Sequence, residues 1–249
     1  MNTLRISLTI LLLIASCAVR ETIAPLEPAG EFRRAMSLYE SRKYVKAIES
    51  LERILFNFPS SEYVDDAQYW LGRAHLELKA YDQAIVEFDY LIRHFSNSAL
   101  LEDAFFFRAR SYLLSAPDYD RDPSNLERAV RLFDEFLTRF PNSKYTDDVK
   151  NEILNARDLL ARKELENGKI YEKLKEPDAA LLYYGYVINN YPETRSADEA
   201  RYRKARLSED KGRIDEALEM YRELIDDEEW GELAARRVAE LEKRPPADQ

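Results

Sequence analysis

Four pairs of adjacent carboxylates, Asp65/Asp66, Glu102/Asp103, Asp147/Asp148 and Asp198/Glu199, carry most of the reactive chemistry in this 249-residue chain, with His75, His94 and Cys17 supplying the rest. Paired carboxylates can divide acid and base work in hydrolysis when their surroundings push their pKa values apart. A thiol beside an imidazole can act as a nucleophile, and cysteine with histidine can hold zinc. The spacing argues against each use. Every acidic pair falls in the first turn or two of a predicted helix, where exposed N–H groups favour negative charge. His75 occupies a slot filled by Leu38, Tyr112 and Tyr171 in aligned segments, which makes it a packing residue, and His94 stands near a helix end, where a cation suits the dipole. Neither has a ligand partner four residues on. The run Asp226-Asp227-Glu228-Glu229 reads as the cap of a last helix beginning near Trp230, with contact to a basic partner as its other use. The chain is therefore expected to have no catalytic residues, no metal and no cofactor.

Cys17 has a different context. It follows an apolar run from Leu8 to Ala15, preceded by a single Arg5. That layout is a secretory signal, too short to span a bilayer. The residues Ile14-Ala15-Ser16-Cys17 resemble a bacterial lipobox, so residues 1–16 are expected to be a lipoprotein signal peptide and Cys17 the lipid attachment site. One cysteine excludes an intramolecular disulfide. Residues 17–29, with two prolines and little periodicity, read as a flexible tether between lipid and body.

Composition narrows the remainder. Net charge is −10 and pI about 5.0, which excludes a phosphate-binding surface of the nucleic-acid type. Sixteen tyrosines and eleven phenylalanines argue against disorder, and only six glycines argue against Gly-rich phosphate loops and turn-dense β architecture.

Internal repetition is the strongest signal. Counting offsets 1, 4, 7, 8 and 11 from Ala47 gives Ile48, Leu51, Ile54, Leu55 and Phe58. Ala84, Ala129 and Ala180 give comparable apolar sets, and Ala217 follows until Glu228. Five segments thus share one amphipathic stripe. A small residue, Ala35, Gly72, Gly168 or Ala205, stands twelve positions before four of those alanines, where it lets a preceding helix approach closely. Pro59, Ser96, Pro141 and Pro192 end the units. The pattern resembles the tetratricopeptide repeat. It predicts an all-α fold, a right-handed solenoid of about five tetratricopeptide-like helix pairs with a C-terminal capping helix, over residues 30–244, followed by a disordered tail at 245–249. Unequal spacing adds two expectations. The third unit carries a lengthened loop at "SAPDYDRDPSN", and the fourth opens with a helix longer than its neighbours by about 21 Å, able to brace the two halves.

The stretches "DRDPSNLERAVRLFDEFLTRFPNSKYTDDVKNEILNARDLLA" and "YPETRSADEA", taken with the lipobox, tether and long fourth-unit helix, resemble the BamD family of bacterial outer-membrane lipoproteins. The resemblance implies a scaffold without enzymatic activity, lipid-anchored on the periplasmic face of the outer membrane. It implies docking on soluble domains of BamA, contact with other Bam subunits, and reception of unfolded outer-membrane proteins. Inner-face candidates for the client are Tyr39, Tyr69, Arg73, Phe106 and Arg110, since aromatics beside arginine suit an aromatic, carboxylate-terminated tail. Tyr69 and Phe106 can equally well fill space between helices. For BamA docking the resemblance points to the last unit, with Arg201, Arg203, Glu209 and Asp210. Other envelope lipoproteins built from these repeats, such as a secretin pilot or a cell-division or murein coordinator, stay open at this point.

Overall fold

The computed structural model describes residues 26–116 and 122–243. The signal peptide, Cys17, most of the tether, the middle of the third-unit loop and the tail lie outside the described residues. Eleven helices appear among those described: α1 (Pro28–Glu40), α2 (Tyr44–Asn57), α3 (Val64–Glu77), α4 (Tyr81–His94), α5 (Leu101–Leu114), α6 (Ser124–Arg139), α7 (Thr146–Lys173), α8 (Pro177–Asn190), α9 (Arg195–Asp210), α10 (Ile214–Glu223) and α11 (Gly231–Leu241). They form five antiparallel pairs, here called A and B helices, and α11 closes the end. α1 begins at Pro28, two residues inside the stretch read as tether, because a proline at the first helical position loses no hydrogen bond.

Four of the five pairs, all but α5 and α6, are closed by the same turn. Arg42, Lys79, Lys175 and Gly212 sit at φ of 57°, 59°, 61° and 76°. At the first, the N–H of Arg42 donates to the Tyr39 carbonyl (2.8 Å) and that of Lys43 to the Leu38 carbonyl (2.8 Å); the other three repeat both bonds. These are left-handed helix caps that satisfy the last carbonyls of an A helix. Units are joined by a second recurrent device. An aromatic residue, Phe58, Phe95, Phe140 or Tyr191, caps each of the first four B helices, and Ser61, Ser98, Ser143 or Thr194 donates its N–H back to that residue's carbonyl (2.9–3.1 Å).

The stripe behaves as its period requires. Offsets 0, 4 and 7 of every B helix are fully buried, from Ala47, Leu51 and Ile54 to Ala217, Tyr221 and Leu224. α7 runs for 28 residues against 14 in α8. It packs on α6, α8 and α9, and Ala156 and Leu160 in its middle share a cluster with Leu126 of α6. The expected brace between the two halves is this helix. Beyond neighbours in sequence, α3 packs on α5 and α7 on α9. All four are A helices, so the A helices converge on the inner side of the solenoid.

Candidate functional site

The inner side of the first three units is built from aromatic rings that carry arginines. Tyr39 on α1 meets Tyr44 and Trp70 edge-on, at ring separations of 5.2 and 4.9 Å. Arg73, one turn beyond Tyr69 on α3, holds its guanidinium 3.9 Å over the Phe107 ring and donates to the Tyr69 hydroxyl (3.0 Å). Burial pushes the Tyr39 phenol up to about 12 and raises that of Tyr69, with Arg73 opposing in both cases. Both hydroxyls remain protonated donors at neutral pH.

One unit on, Phe106 lies flat on Tyr145 at 4.1 Å, and Arg110 stands 6.0 Å from the Phe106 ring and 3.8 Å from Glu152 of α7. Phe106, Arg110, Asp148, Asn151, Glu152 and Asn155 line a cleft of about 260 Å³ between α5 and α7.

Of the five inner-face candidates, Tyr69 and Phe106 are core residues, 4% and 2% exposed. Their rings fill the seam between successive A helices and hold the arginines in place. Tyr39, Arg73 and Arg110 keep accessible surface. Sequence reasoning missed Trp70, which is half-buried between Tyr39 and Tyr69. Its position beside Tyr69 and three residues before Arg73 was the available signal.

The last-unit candidates are differently employed. Arg201 pairs with Asp198 (2.7 Å) and Glu223 (2.8 Å), Arg203 with Glu199 (2.8 Å) and Glu172 (3.3 Å), and Glu209 with Arg237. These three tie α9 to α10, α7 and α11. Asp210 is exposed, beside a cleft lined by Glu172, Lys175, Pro177, Leu207 and Lys211.

The acidic pairs lie in the opening turns of their A helices. Three of these carboxylates also join units: Glu102 accepts from the Ser143 hydroxyl (2.6 Å), Asp103 from Lys144 (3.1 Å) and the Tyr145 hydroxyl, and Glu199 pairs with Lys169 of α7 (2.6 Å). Asp227 accepts from the backbone N–H groups of Glu229 (2.9 Å) and Trp230 (2.7 Å), ordering the turn that leads into α11, but no side chain of the acidic run caps the helix itself, because its N-cap is Trp230. His75 is half-buried and burial lowers its pKa, while His94 ends α4 with its ring tilted against that of Tyr90 at 4.3 Å. Among the described residues, no cluster of His, Cys, Asp or Glu is placed to hold a metal ion, and no helix is long and apolar enough to cross a membrane.

Helix pairs converging on an inner side lined with anchored arginines define a tetratricopeptide-type scaffold. The TPR2AB domain of yeast Sti1, solved in complex with pHSP90, shares this fold at a TM-score of 0.50, with 15% identity over 86% of this chain and 83% of that one. The chain belongs to the BamD family: the family model YfiO, outer membrane lipoprotein, matches residues 27–223. The outer membrane protein assembly factor BamD of Rickettsia prowazekii is 28% identical over 74% of this chain and 72% of its own length. That of Caulobacter vibrioides is 27% identical, over 76% and 67%.

Proposed function

We propose that this chain is a lipid-anchored scaffold subunit of the outer-membrane β-barrel assembly machinery, held at the periplasmic face through Cys17. It receives unfolded outer-membrane protein segments along α1, α3 and α5 and docks on soluble domains of BamA through its last unit, beside other Bam subunits. Family membership supports the machinery, and one local observation supports the client site: Arg73 and Arg110 are fixed against rings on the inner side before any ligand arrives. A guanidinium fork pairs with a terminal carboxylate in two parallel hydrogen bonds, and a pre-positioned fork loses little side-chain entropy in doing so. The edges of Tyr39 and Trp70 suit an aromatic residue beside that carboxylate. The work is binding and orientation, with no covalent step. In the last unit, Arg201, Arg203 and Glu209 hold the surface in shape and Asp210 meets the partner.

Photo-crosslinkers at positions 39, 73, 110 and 210 in intact envelopes test the reading, with mass analysis of the mature N-terminus. Capture of outer-membrane protein clients from the first three, of BamA from position 210, and an acylated Cys17 are expected. Capture of a secretin or a murein synthase in their place, or an unmodified Cys17, would overturn it.

A further inference from the structure

The acidic pairs set a common register for three successive A helices. Three residues after Asp66, Asp103 and Asp148 come Tyr69, Phe106 and Asn151, and seven residues after them come Arg73, Arg110 and Asn155. Positions that carry a ring and a cation in α3 and α5 therefore carry two carboxamides in α7. Asn151 and Asn155 are exposed, line the cleft with Phe106 and Arg110, and their side chains make no hydrogen bond to any described residue.

We infer that Asn151 and Asn155 form a backbone-reading site for an extended, unpaired polypeptide segment. A carboxamide offers one acceptor and two donors, so it can take the N–H and give to the C=O of a single residue. Such a pairing satisfies the segment's main chain as a neighbouring strand would, and it is blind to side-chain identity. The two side chains lie one turn apart, about 6 Å along α7. Alternate residues of an extended chain repeat at about 6.6–6.8 Å, so each carboxamide can meet a backbone edge facing the same way. Charge does not compete with this readout: Glu152 stands 3.8 Å from Arg110, Asp148 lines the same cleft, and the single net negative charge that remains neither attracts nor repels an uncharged backbone edge. Chains that must later become β-strands share this free backbone edge and little else, which fits a site able to serve many sequences. The inference rests on the client-receiving reading proposed above and extends it from the segment's end to its main chain.

The test uses the full chain and a fluorescent twelve-residue peptide of alternating apolar and polar residues ending in Phe with a free carboxylate. A second peptide carries N-methyl groups on alternate amides of one edge. The wild type is expected to bind the unmodified peptide about tenfold more tightly than the methylated one, as loss of two modest hydrogen bonds implies. Asn151→Ala/Asn155→Ala should lose about the same factor for the unmodified peptide and should no longer distinguish the two, while its melting temperature stays level, since both positions are exposed on a helix. Equal binding of both peptides by the wild type, or undiminished binding by the double variant, overturns the carboxamide site and leaves the receptor reading standing. No binding of either peptide by the wild type overturns the receptor reading itself.

Discussion

A β-carbon placed on Gly168 of α7 would lie 2.5 Å from Cε1 of Tyr184 on α8, inside van der Waals contact. The same holds at Gly72, where it would meet Cε1 of Phe88 at 2.8 Å. In both units a bare backbone is the seat for a fully buried ring on the paired helix, which is why a small residue recurs twelve positions before four of the five B-helix alanines. Alanine inside a helix normally stabilises relative to glycine by about 0.5–1 kcal/mol. Here the sign should reverse. Gly168→Ala and Gly72→Ala are each expected to cost about 1–3 kcal/mol, as overpacking does. Gly185→Ala is the control, because a β-carbon there meets only Lys204 Nζ at 3.9 Å, and it should stabilise. Urea titrations of the three variants check the pattern.

The caps between paired helices predict a second pair of opposite signs. Gly212 takes φ 76° without steric cost, so Gly212→Ala should destabilise by about 1 kcal/mol. Lys79 takes φ 59° with a side chain attached. The left-handed penalty of about 1–2 kcal/mol exceeds the extra unfolded-state entropy of glycine, about 0.5–1 kcal/mol, so Lys79→Gly should gain roughly 0.5 kcal/mol. Thermal melts at one pH suffice to read both.

Local chemistry explains what could be read from the sequence and what could not. The five stripes, the small-residue seats and the 28-residue α7 follow from period, side-chain size and the absence of proline, all properties of a single segment. Exposure at the inner side depends on the next unit. Tyr69 and Trp70 are adjacent in sequence, yet Tyr69 is sealed by Phe88 and Phe107 whereas Trp70 turns toward Tyr39. The ion pairs of Arg203 with Glu172 and Glu209 with Arg237 span 31 and 28 residues, and no periodicity announces them. That is why charges chosen as docking surface are found holding the last unit together.

Glu31 gives a pH dependence. Its side chain is fully buried, and it accepts from the Leu26 N–H (3.1 Å), from Arg34 (3.1 Å) and from Arg53 through Nε (3.2 Å) and a terminal nitrogen (3.3 Å). Burial alone would raise its pKa, but the hydrogen bond from Arg53 and the remaining donors and charges outweigh it, and the carboxyl titrates below the ordinary range. A folded pKa depressed below the unfolded value contributes stability above the unfolded pKa, about 4.3, and loses it as pH falls through the folded one. Wild-type stability should therefore decline below about pH 4.5, and Glu31→Gln should flatten that part of the decline. Arg53→Ala leaves the carboxylate without its main partner and should cost about 3 kcal/mol at pH 7. Chemical unfolding at pH 7, 5 and 3.5 measures all three.

Arg73 makes a functional prediction. Its planar group stacks at 3.9 Å on Phe107, a geometry that an ammonium cannot reproduce. Arg73→Lys should weaken binding of a peptide ending in a free aromatic carboxylate by about tenfold, the scale of one charge-assisted hydrogen bond. Amidating the peptide terminus should weaken wild-type binding to the same degree and leave the variant unmoved. Fluorescence anisotropy with the two peptides decides it: a lysine variant that still distinguishes them as the wild type does shows that the carboxylate is read elsewhere.

Ser96 stands where three other units carry proline, and the backbone reaching it says what a proline there would do. Phe95 has φ −124° and ψ 56°, close to Phe58 (−134°, 54°), Phe140 (−127°, 64°) and Tyr191 (−136°, 46°), each of which precedes a proline. The turn following it is also preserved, since the Ser98 N–H donates to the Phe95 carbonyl at 3.0 Å as its counterparts do. The Ser96 N–H makes no backbone hydrogen bond across this turn, so proline would remove no donor in use. Where native geometry already suits proline, the substitution acts on the unfolded chain, narrowing the states it must give up, and gains about 0.4–1 kcal/mol. Ser96→Pro should accordingly raise the unfolding midpoint with no change in the slope against urea. A loss of stability instead would mean that α4 and α5 meet at an angle which the three proline-bearing turns do not share.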